Sequence, residues 1–176
     1  VRKLVLDVPV GPGTKFPTPK DGKSFSHLFK QIATNVGVEA ECALTLAHQP
    51  IGHNIGPAIE AKEALTLLKN YSAGPNSLIE KSTSLAGILL EMGGKSPKGQ
   101  GQVMAKEILR SGKAYEKMMY IIEAQGGDPE ITPEEIKLGP YEKEFCSNKS
   151  GHITEVDNSI INQIAKAAGC PYSKTS

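Results

Sequence analysis

The first 46 residues carry a strand–helix–strand pattern, and this pattern restricts the chain to the α/β class. Residues 3–10, KLVLDVPV, are a short and nearly continuous apolar run, which is typical of a strand buried on both faces of a parallel sheet. Apolar side chains then recur at helical spacing from Phe25 to Val36, on a face that we expect to be buried. Residues 38–46 alternate with the period of a strand. These lengths predict a β-α-β unit with parallel strands and a right-handed crossover.

The helices are predicted from apolar stripes and from the residues that start and stop them. Asp21 is expected to cap the first helix, and Pro57 suits the first position of the next one. Thr132 and Glu135 have the spacing of a capping box, which predicts a further short turn. Each of the later apolar stripes is followed by a pair of residues that contains glycine, and this pair is expected to end the helix. Helices are therefore expected from Asp21 to Gly37, from Pro57 onward, over 77–92, over 103–110 and over 115–122.

The pattern changes near residue 139, where we place a subdomain boundary. Residues 1–139 are expected to hold the β-α-β core with its helices, and residues 140–176 a small β-hairpin and a last helix. The hairpin is predicted over 141–157, and Asp157 or Asn158 is expected to cap the helix. The expected buried face of this helix consists of Ile161, Ile164, Ala165 and Ala168.

The composition argues against several classes of function. The net charge is +1, and Arg2 and Arg110 are the only arginines, so the chain lacks the basic surface with which proteins bind nucleic acids. No apolar run approaches the ~20 residues that span a bilayer, which argues against a membrane protein. The three cysteines are far apart and lack metal-site spacing, as is typical of reduced thiols in a cytosolic protein.

The loop after the first strand is the first candidate binding site. Ligands of open α/β sheets bind beyond the carboxyl ends of the strands, which is where Gly11 to Lys15 lie in the predicted unit. Gly11 and Gly13 would let the backbone approach a ligand, while Thr14 offers a hydroxyl and Lys15 a cation. The alternative interpretation is a stiff connection, rich in proline and glycine, with a solvated lysine.

The loop after the second strand, residues 48–56, is the second candidate. It contains two glycines and leads into a helix N-terminus, so free backbone groups are available to hold an ion. Glu63 lies just beyond, away from the apolar stripe of that helix. The alternative interpretation is a solvated helix carboxylate, with His48 and His53 as ordinary loop histidines.

Three runs in this order resemble the pyrimidine/thymidine phosphorylase family: LVLDVPVGPGTKFPTP, QPIGHNIGPAIEAKEAL and EILRSGKAYEKMMYIIEAQGGDP. The forms DVPVGPGTK and GPAIEAKEAL are most similar to the archaeal AMP phosphorylase branch. The run SGHITEVDNSIINQIAKAAGCP resembles the start of the family's C-terminal region. The resemblance covers essentially the whole chain.

The resemblance implies a pentosyltransferase. Inorganic phosphate would attack the anomeric carbon of a nucleoside or nucleoside 5′-monophosphate and release the free base, so that phosphate is a co-substrate and no cofactor is required. The other product would be a (deoxy)ribose 1-phosphate or ribose 1,5-bisphosphate. The resemblance also implies a cytoplasmic homodimer or higher homo-oligomer, with a cleft between a small α domain and the larger α/β domain to which this chain would belong.

Substrate binding is expected at the loop residues Gly11, Gly13, Thr14 and Lys15, and the resemblance bears on the last of them. Lys15 stands where pyrimidine enzymes have a phenylalanine of the base pocket, so its ammonium is expected to contact the 5′-phosphate or a polar edge of the base. The family's catalytic residues lie upstream of the strand at which this chain begins. The chain is therefore expected to be a central-to-C-terminal piece that is inactive alone.

The resemblance also implies a monovalent cation site. Some bacterial relatives bind potassium through two loop carbonyls and a glutamate, at positions that correspond to Ile51, Asn54 and Glu63. The remaining ligands would lie upstream, so the expected site is incomplete in this chain.

Two other functions are compatible with an α/β chain of this kind. One is a phosphoribosyltransferase of the anthranilate type, whose signature loops are absent from the sequence. The other is a non-catalytic α/β binding module.

Overall fold

Two parallel strands and the helix between them form the sheet side of the fold. In the computed structural model, which describes residues 1–171, β1 (Lys3–Val10) and β2 (Glu39–Leu46) pair in parallel along their whole lengths. Helix α1 (Pro19–Asn35) connects them. Val8 in the middle of this unit is completely buried. The predicted α/β class and its parallel β-α-β core are confirmed.

The start of α1 differs from the prediction, because Thr18 and not Asp21 is the capping residue. Thr18 precedes Pro19, and a residue before proline is forced into an extended conformation, so the helix begins at Pro19. The Asp21 N–H donates to the Thr18 hydroxyl oxygen (3.3 Å), and the Thr18 N–H donates to the Asp21 carboxylate (3.2 Å). Asp21 therefore completes a capping box from the third helical position.

Five further helices follow the sheet, as the apolar stripes predict. They begin and end within a few residues of the expected positions, and the capping box of Thr132 and Glu135 starts a short 3-10 turn. Within residues 1–171, no helix combines the length and the apolar character needed to cross a bilayer. The helices are α2 (Pro57–Lys69), α3 (Asn76–Met92), α4 (Gly101–Arg110), α5 (Lys113–Ala124) and α6 (Asn158–Ala167).

Helices α3 and α4 cross at two glycines. A Cβ added to Gly87 would lie 2.7 Å from the backbone of Gly101, so only glycine permits this close approach. Lys81 of α3 forms an ion pair with Asp7 of β1, at 2.7 Å between Nζ and Oδ2. The α3–α4 pair is thereby attached to the sheet.

The predicted buried face of α1 is largely exposed. The helix packs on the sheet through small residues, and Gly22, Ser26 and Ala33 are its buried positions. A Cβ on Gly22 would lie 2.9 Å from the Val10 side chain, which shows how close the helix approaches. A sheet of two strands covers only this narrow side. On the predicted face, Phe25 and Phe29 are partly buried, whereas Leu28, Ile32 and Val36 are more than half exposed, at 55%, 54% and 71%.

The predicted hairpin over 141–157 is wrong, because the structure contains no strand in this range. Tyr141 and Phe145 are 95% and 86% exposed, so the segment has no apolar surface to pack on. A two-stranded hairpin without such packing is marginal in water. The last helix is confirmed, with Asp157 as its cap, but its predicted buried face is wrong. Ile161 and Ala165 are only partly buried, and Ile164 and Ala168 are exposed. Residues 172–176 of the predicted C-terminal subdomain lie outside the described residues, and the boundary near residue 139 stays a prediction.

Candidate functional site

The loop after β1 is a turn closed by its own hydrogen bonds. The Gly11 N–H donates to the Phe16 carbonyl (3.2 Å), and the Thr14 N–H donates to the Gly11 carbonyl (3.2 Å). The Thr14 hydroxyl donates to the same Gly11 carbonyl (2.8 Å) and accepts from the Phe16 N–H (3.1 Å). Because a hydroxyl has one proton to donate, Thr14 has only acceptor capacity left for a ligand.

The two glycines of this turn are required for different reasons. A Cβ added to Gly11 would lie 2.7 Å from the carbonyl oxygen of Ala47, so the missing side chain lets the turn pass against the end of β2. Gly13 has open space around it and a φ of 75°, a left-handed conformation that glycine adopts without strain. Gly11 thus joins the two loops, and Gly13 shapes the turn that presents Lys15.

Lys15 lies within this turn and has an exposed side chain. The next residue, Phe16, is fixed against Phe25 of α1, with 4.6 Å between the ring centroids. None of the ion pairs within residues 1–171 involves Lys15. A solvated ammonium on a well-held turn is suited to attract the oxygens of a phosphate group.

Glu63 of α2 holds the loop that follows β2. Its Oε1 accepts hydrogen bonds from the His53 N–H (3.0 Å) and from the Asn54 side-chain amide (2.7 Å). A Cβ added to Gly52, which has a φ of 75°, would lie 2.5 Å from the other carboxylate oxygen. Glu63 is therefore bound to the loop and is not the solvated carboxylate of the alternative interpretation.

Two further side chains fix this loop, and the sequence analysis did not identify either. The Gly52 N–H donates to the Ser77 hydroxyl of α3 (3.2 Å), and the Gly56 N–H donates to Glu60 of α2 (3.0 Å). The contact of Glu60 could have been predicted, because a carboxylate lies four residues after a glycine at a helix N-terminus. The contact of Ser77 could not, because no sequence pattern near Gly52 indicates it. Ile51, Asn54 and Glu63, the predicted cation ligands, line one cavity of about 550 Å³ beside the loop. Within residues 1–171, no three His, Cys, Asp or Glu side chains cluster as a metal site.

A polar cleft of about 750 Å³ lies at the carboxyl end of the sheet. This edge is where α/β sheets bind their ligands. The Asn158 side-chain amide donates to the Ala47 carbonyl (3.0 Å), so the start of α6 is attached to the end of β2. No role for α6 was predicted from its sequence. The cleft is lined by residues 12–14 of the first loop, by His48 and Gln49 of the second, and by Thr154–Ser159 with one face of α6.

A small network below the loops connects both strands to the helix layer. The Thr45 hydroxyl of β2 donates to Asp7 Oδ1 (2.6 Å), and the Lys81 ammonium lies 2.7 Å from Asp7 Oδ2. Both carboxylate oxygens of Asp7 are therefore engaged, from two different elements. The network fixes the strands just before the two loops begin.

Comparison with known proteins relates the chain to one enzyme family. It is 52% identical over 171 residues to the AMP phosphorylase of Thermococcus kodakarensis and 49% identical over 171 residues to that of Methanosarcina mazei. It is 47% identical over 174 residues to the AMP phosphorylase of Methanocaldococcus jannaschii. These matches cover 97–99% of the chain and 34% of each relative. The chain is homologous to a segment of the AMP phosphorylases.

The predicted resemblance to AMP phosphorylases is thereby confirmed. The chain spans about a third of the length of the curated relatives it matches. No protein-family model matches it.

Proposed function

We propose that the chain forms one wall of the cleft in an enzyme that uses inorganic phosphate to cleave a nucleoside 5′-monophosphate or a nucleoside. The observation that carries this proposal is identity of about one half to AMP phosphorylases along nearly the whole chain. The structure supports it, because the Gly11 turn and the second loop lie at the same edge of the sheet, beside a cleft large enough for a nucleotide.

The proposed reaction exchanges one bond at the anomeric carbon for another. A phosphate oxygen forms a bond to C1′ while the bond from C1′ to the base nitrogen breaks, and the electron pair and a proton end on the base. The products are the free base and ribose 1,5-bisphosphate, or a (deoxy)ribose 1-phosphate when the substrate is a nucleoside. An oxocarbenium-like transition state is stabilised mainly by positioning and by charge.

The contribution of this chain is to bind and orient, not to transfer a proton. Lys15 offers a cation for the 5′-phosphate, and the Gly11–Phe16 hydrogen bonds hold the turn that carries it. The groups that act on the leaving base are expected outside these residues. We therefore propose that residues 1–176 alone do not catalyse the reaction.

Phosphorolysis assays test the proposed function. The full-length gene product that contains these residues is incubated with phosphate and with AMP, CMP, UMP, thymidine or uridine, and base release is followed by chromatography. We expect phosphate-dependent release from at least one of them, and no release by residues 1–176 alone. Absence of release from every substrate by the full-length product would refute the proposed function. Turnover by residues 1–176 alone would refute the proposal that the catalytic groups lie outside these residues.

We also propose that the second loop holds a potassium ion. The available donors fit a hard monovalent cation, because the carbonyls of Ile51 and Asn54 and the Glu63 carboxylate are all oxygen ligands. One oxygen of Glu63 is used by the loop, and the other lies against Gly52, next to Ile51. The ion would stabilise the loop at the mouth of the cleft and take no part in bond breaking.

Glu63→Gln is expected to raise the potassium concentration for half-maximal activity about tenfold, since amide and carboxylate have the same shape but only the carboxylate is charged. The activity of the full-length product is measured against potassium at constant ionic strength. Glu107→Gln, an exposed glutamate of α4, is the matched control and should behave like the wild type. Equal potassium dependence of the two variants would argue that Glu63 only shapes the loop.

A further inference from the structure

A polar stripe of helix α6 lies along the cleft, beside a side of the helix whose apolar residues are only partly buried. The residues that line the cleft have the spacing of one helical stripe: Ser159, Asn162, Gln163 and Lys166. On another side, Ile160 and Ile164 are 54% and 60% exposed, although Ile164 was predicted to be buried. Ile161 and Ala165 are partly buried, and no residue of α6 is fully buried. A polar stripe that faces a cleft indicates a polar ligand in that cleft.

The orientation of α6 is fixed at its first turn. Asp157 accepts from the Ser159 N–H (2.7 Å) and the Ile160 N–H (3.3 Å), and from the Ser159 hydroxyl (2.7 Å). These hydrogen bonds hold the pKa of Asp157 below its usual range, and the bond from the Ser159 hydroxyl has the largest effect. Asn158 then attaches this end to the Ala47 carbonyl. The polar stripe is thus held opposite the Gly11 turn.

The lining of the cleft matches a sugar better than a phosphate or a base. Besides Asn158, whose amide donates to Ala47, its amide groups belong to Gln49, Asn162 and Gln163, which both donate and accept hydrogen bonds as the hydroxyls of a sugar do. Its lining holds two carboxylates, Glu155 and Asp157, and one ammonium, Lys166, so the cleft has no excess of cations. A free phosphate needs a clear excess of cations, and a base needs an apolar face to stack on. Among the lining residues the only aromatic ring is the imidazole of His48, and no Phe, Tyr or Trp is present.

We propose that the polar stripe of α6 binds the ribose of the nucleotide, with Asn162 and Gln163 forming hydrogen bonds to its hydroxyl groups. This subsite rests on the proposed function and deepens it, because it places the sugar between α6 and the Gly11 turn. Lys15, which does not line the cleft, remains available to the 5′-phosphate of the same substrate.

Direct binding of ribose 5-phosphate tests the subsite without requiring turnover. Calorimetric titration of the full-length product compares the wild type with the double variant Asn162→Ala, Gln163→Ala, and inorganic phosphate serves as a second probe. We expect the variant to bind ribose 5-phosphate about tenfold more weakly and phosphate as well as before, because only sugar hydrogen bonds are lost. Asn35→Ala at the end of α1 is the control. All three residues are exposed, and thermal unfolding verifies that each variant is folded.

The outcomes separate the subsite from the proposed function. Unchanged ribose 5-phosphate binding in the double variant would overturn the subsite, even when the wild type shows phosphorolysis. An equal loss for inorganic phosphate would also overturn it, because the stripe would then bind the anion. A wild type that cleaves no nucleotide, with sugar phosphate binding still weakened in the variant, would support the subsite and refute the proposed function.

Discussion

Replacing Lys15 by alanine in the full-length product that contains this chain is expected to raise the KM for a nucleoside 5′-monophosphate by about 100-fold, and the KM for the corresponding nucleoside by less than about threefold. The reason is that the 5′-phosphate is the one group that distinguishes the two substrates, and Lys15 is an exposed cation on the turn beside the cleft. A charge-assisted contact to phosphate is about twice as strong as a neutral hydrogen bond. Steady-state kinetics with both substrates of one base measure the difference.

Two variants make the Lys15 test specific. Lys20→Ala removes another exposed ammonium, in the first turn of α1, and should leave both KM values unchanged if only the local contact matters. Lys15→Arg keeps the charge and should retain most of the discrimination between the two substrates. An equal rise of KM for nucleotide and nucleoside in Lys15→Ala would show that Lys15 does not bind the 5′-phosphate.

Local sequence patterns were sufficient to predict the β-α-β unit and the helices. In these elements the periodicity of apolar residues extends over the whole strand or helix, and tertiary contacts do not change the secondary structure that it favours. The Thr18 cap was missed although its signal is local: Thr18 precedes a proline and lies three residues before Asp21. The error over 141–157 had another cause, since short alternating stretches form strands only where a packing surface is present.

The candidate site was predicted less completely, because its contacts connect distant parts of the chain. The Gly11 turn and the Glu63 loop were identified from their own residues. Their contact through Gly11 and Ala47 depends on the register of the two strands, which no local pattern gives. The Asn158–Ala47 hydrogen bond joins residues 111 positions apart, so the role of α6 could not be inferred from residues near it.

Gly11→Ala is expected to separate the two loops and to lower kcat/KM of the full-length product about 100-fold. The added methyl group would lie 2.7 Å from the Ala47 oxygen and 2.8 Å from its carbonyl carbon, and a backbone cannot swing aside as a flexible side chain does. Overpacking of this kind costs about 1–3 kcal/mol. Displacement of a positioning loop by about 1 Å is enough for a 100-fold loss of rate.

Hydrogen exchange measures the structural part of this effect directly. The Ala47 N–H donates to the Val10 carbonyl (2.9 Å), at the point where the Gly11 methyl group would force the chains apart. With a cost of about 2 kcal/mol, exchange of this amide should accelerate about 30-fold in Gly11→Ala.

Gly13 provides the matched comparison in the same turn. Its surroundings are open, so only its left-handed φ of 75° opposes a side chain, and asparagine tolerates that conformation better than most residues. Gly13→Asn should therefore leave the exchange of the Ala47 amide within about threefold of the wild type, whereas Gly11→Asn should accelerate it at least as much as Gly11→Ala. If both asparagine variants behaved alike, the close approach of Gly11 to β2 would not be what positions the loops.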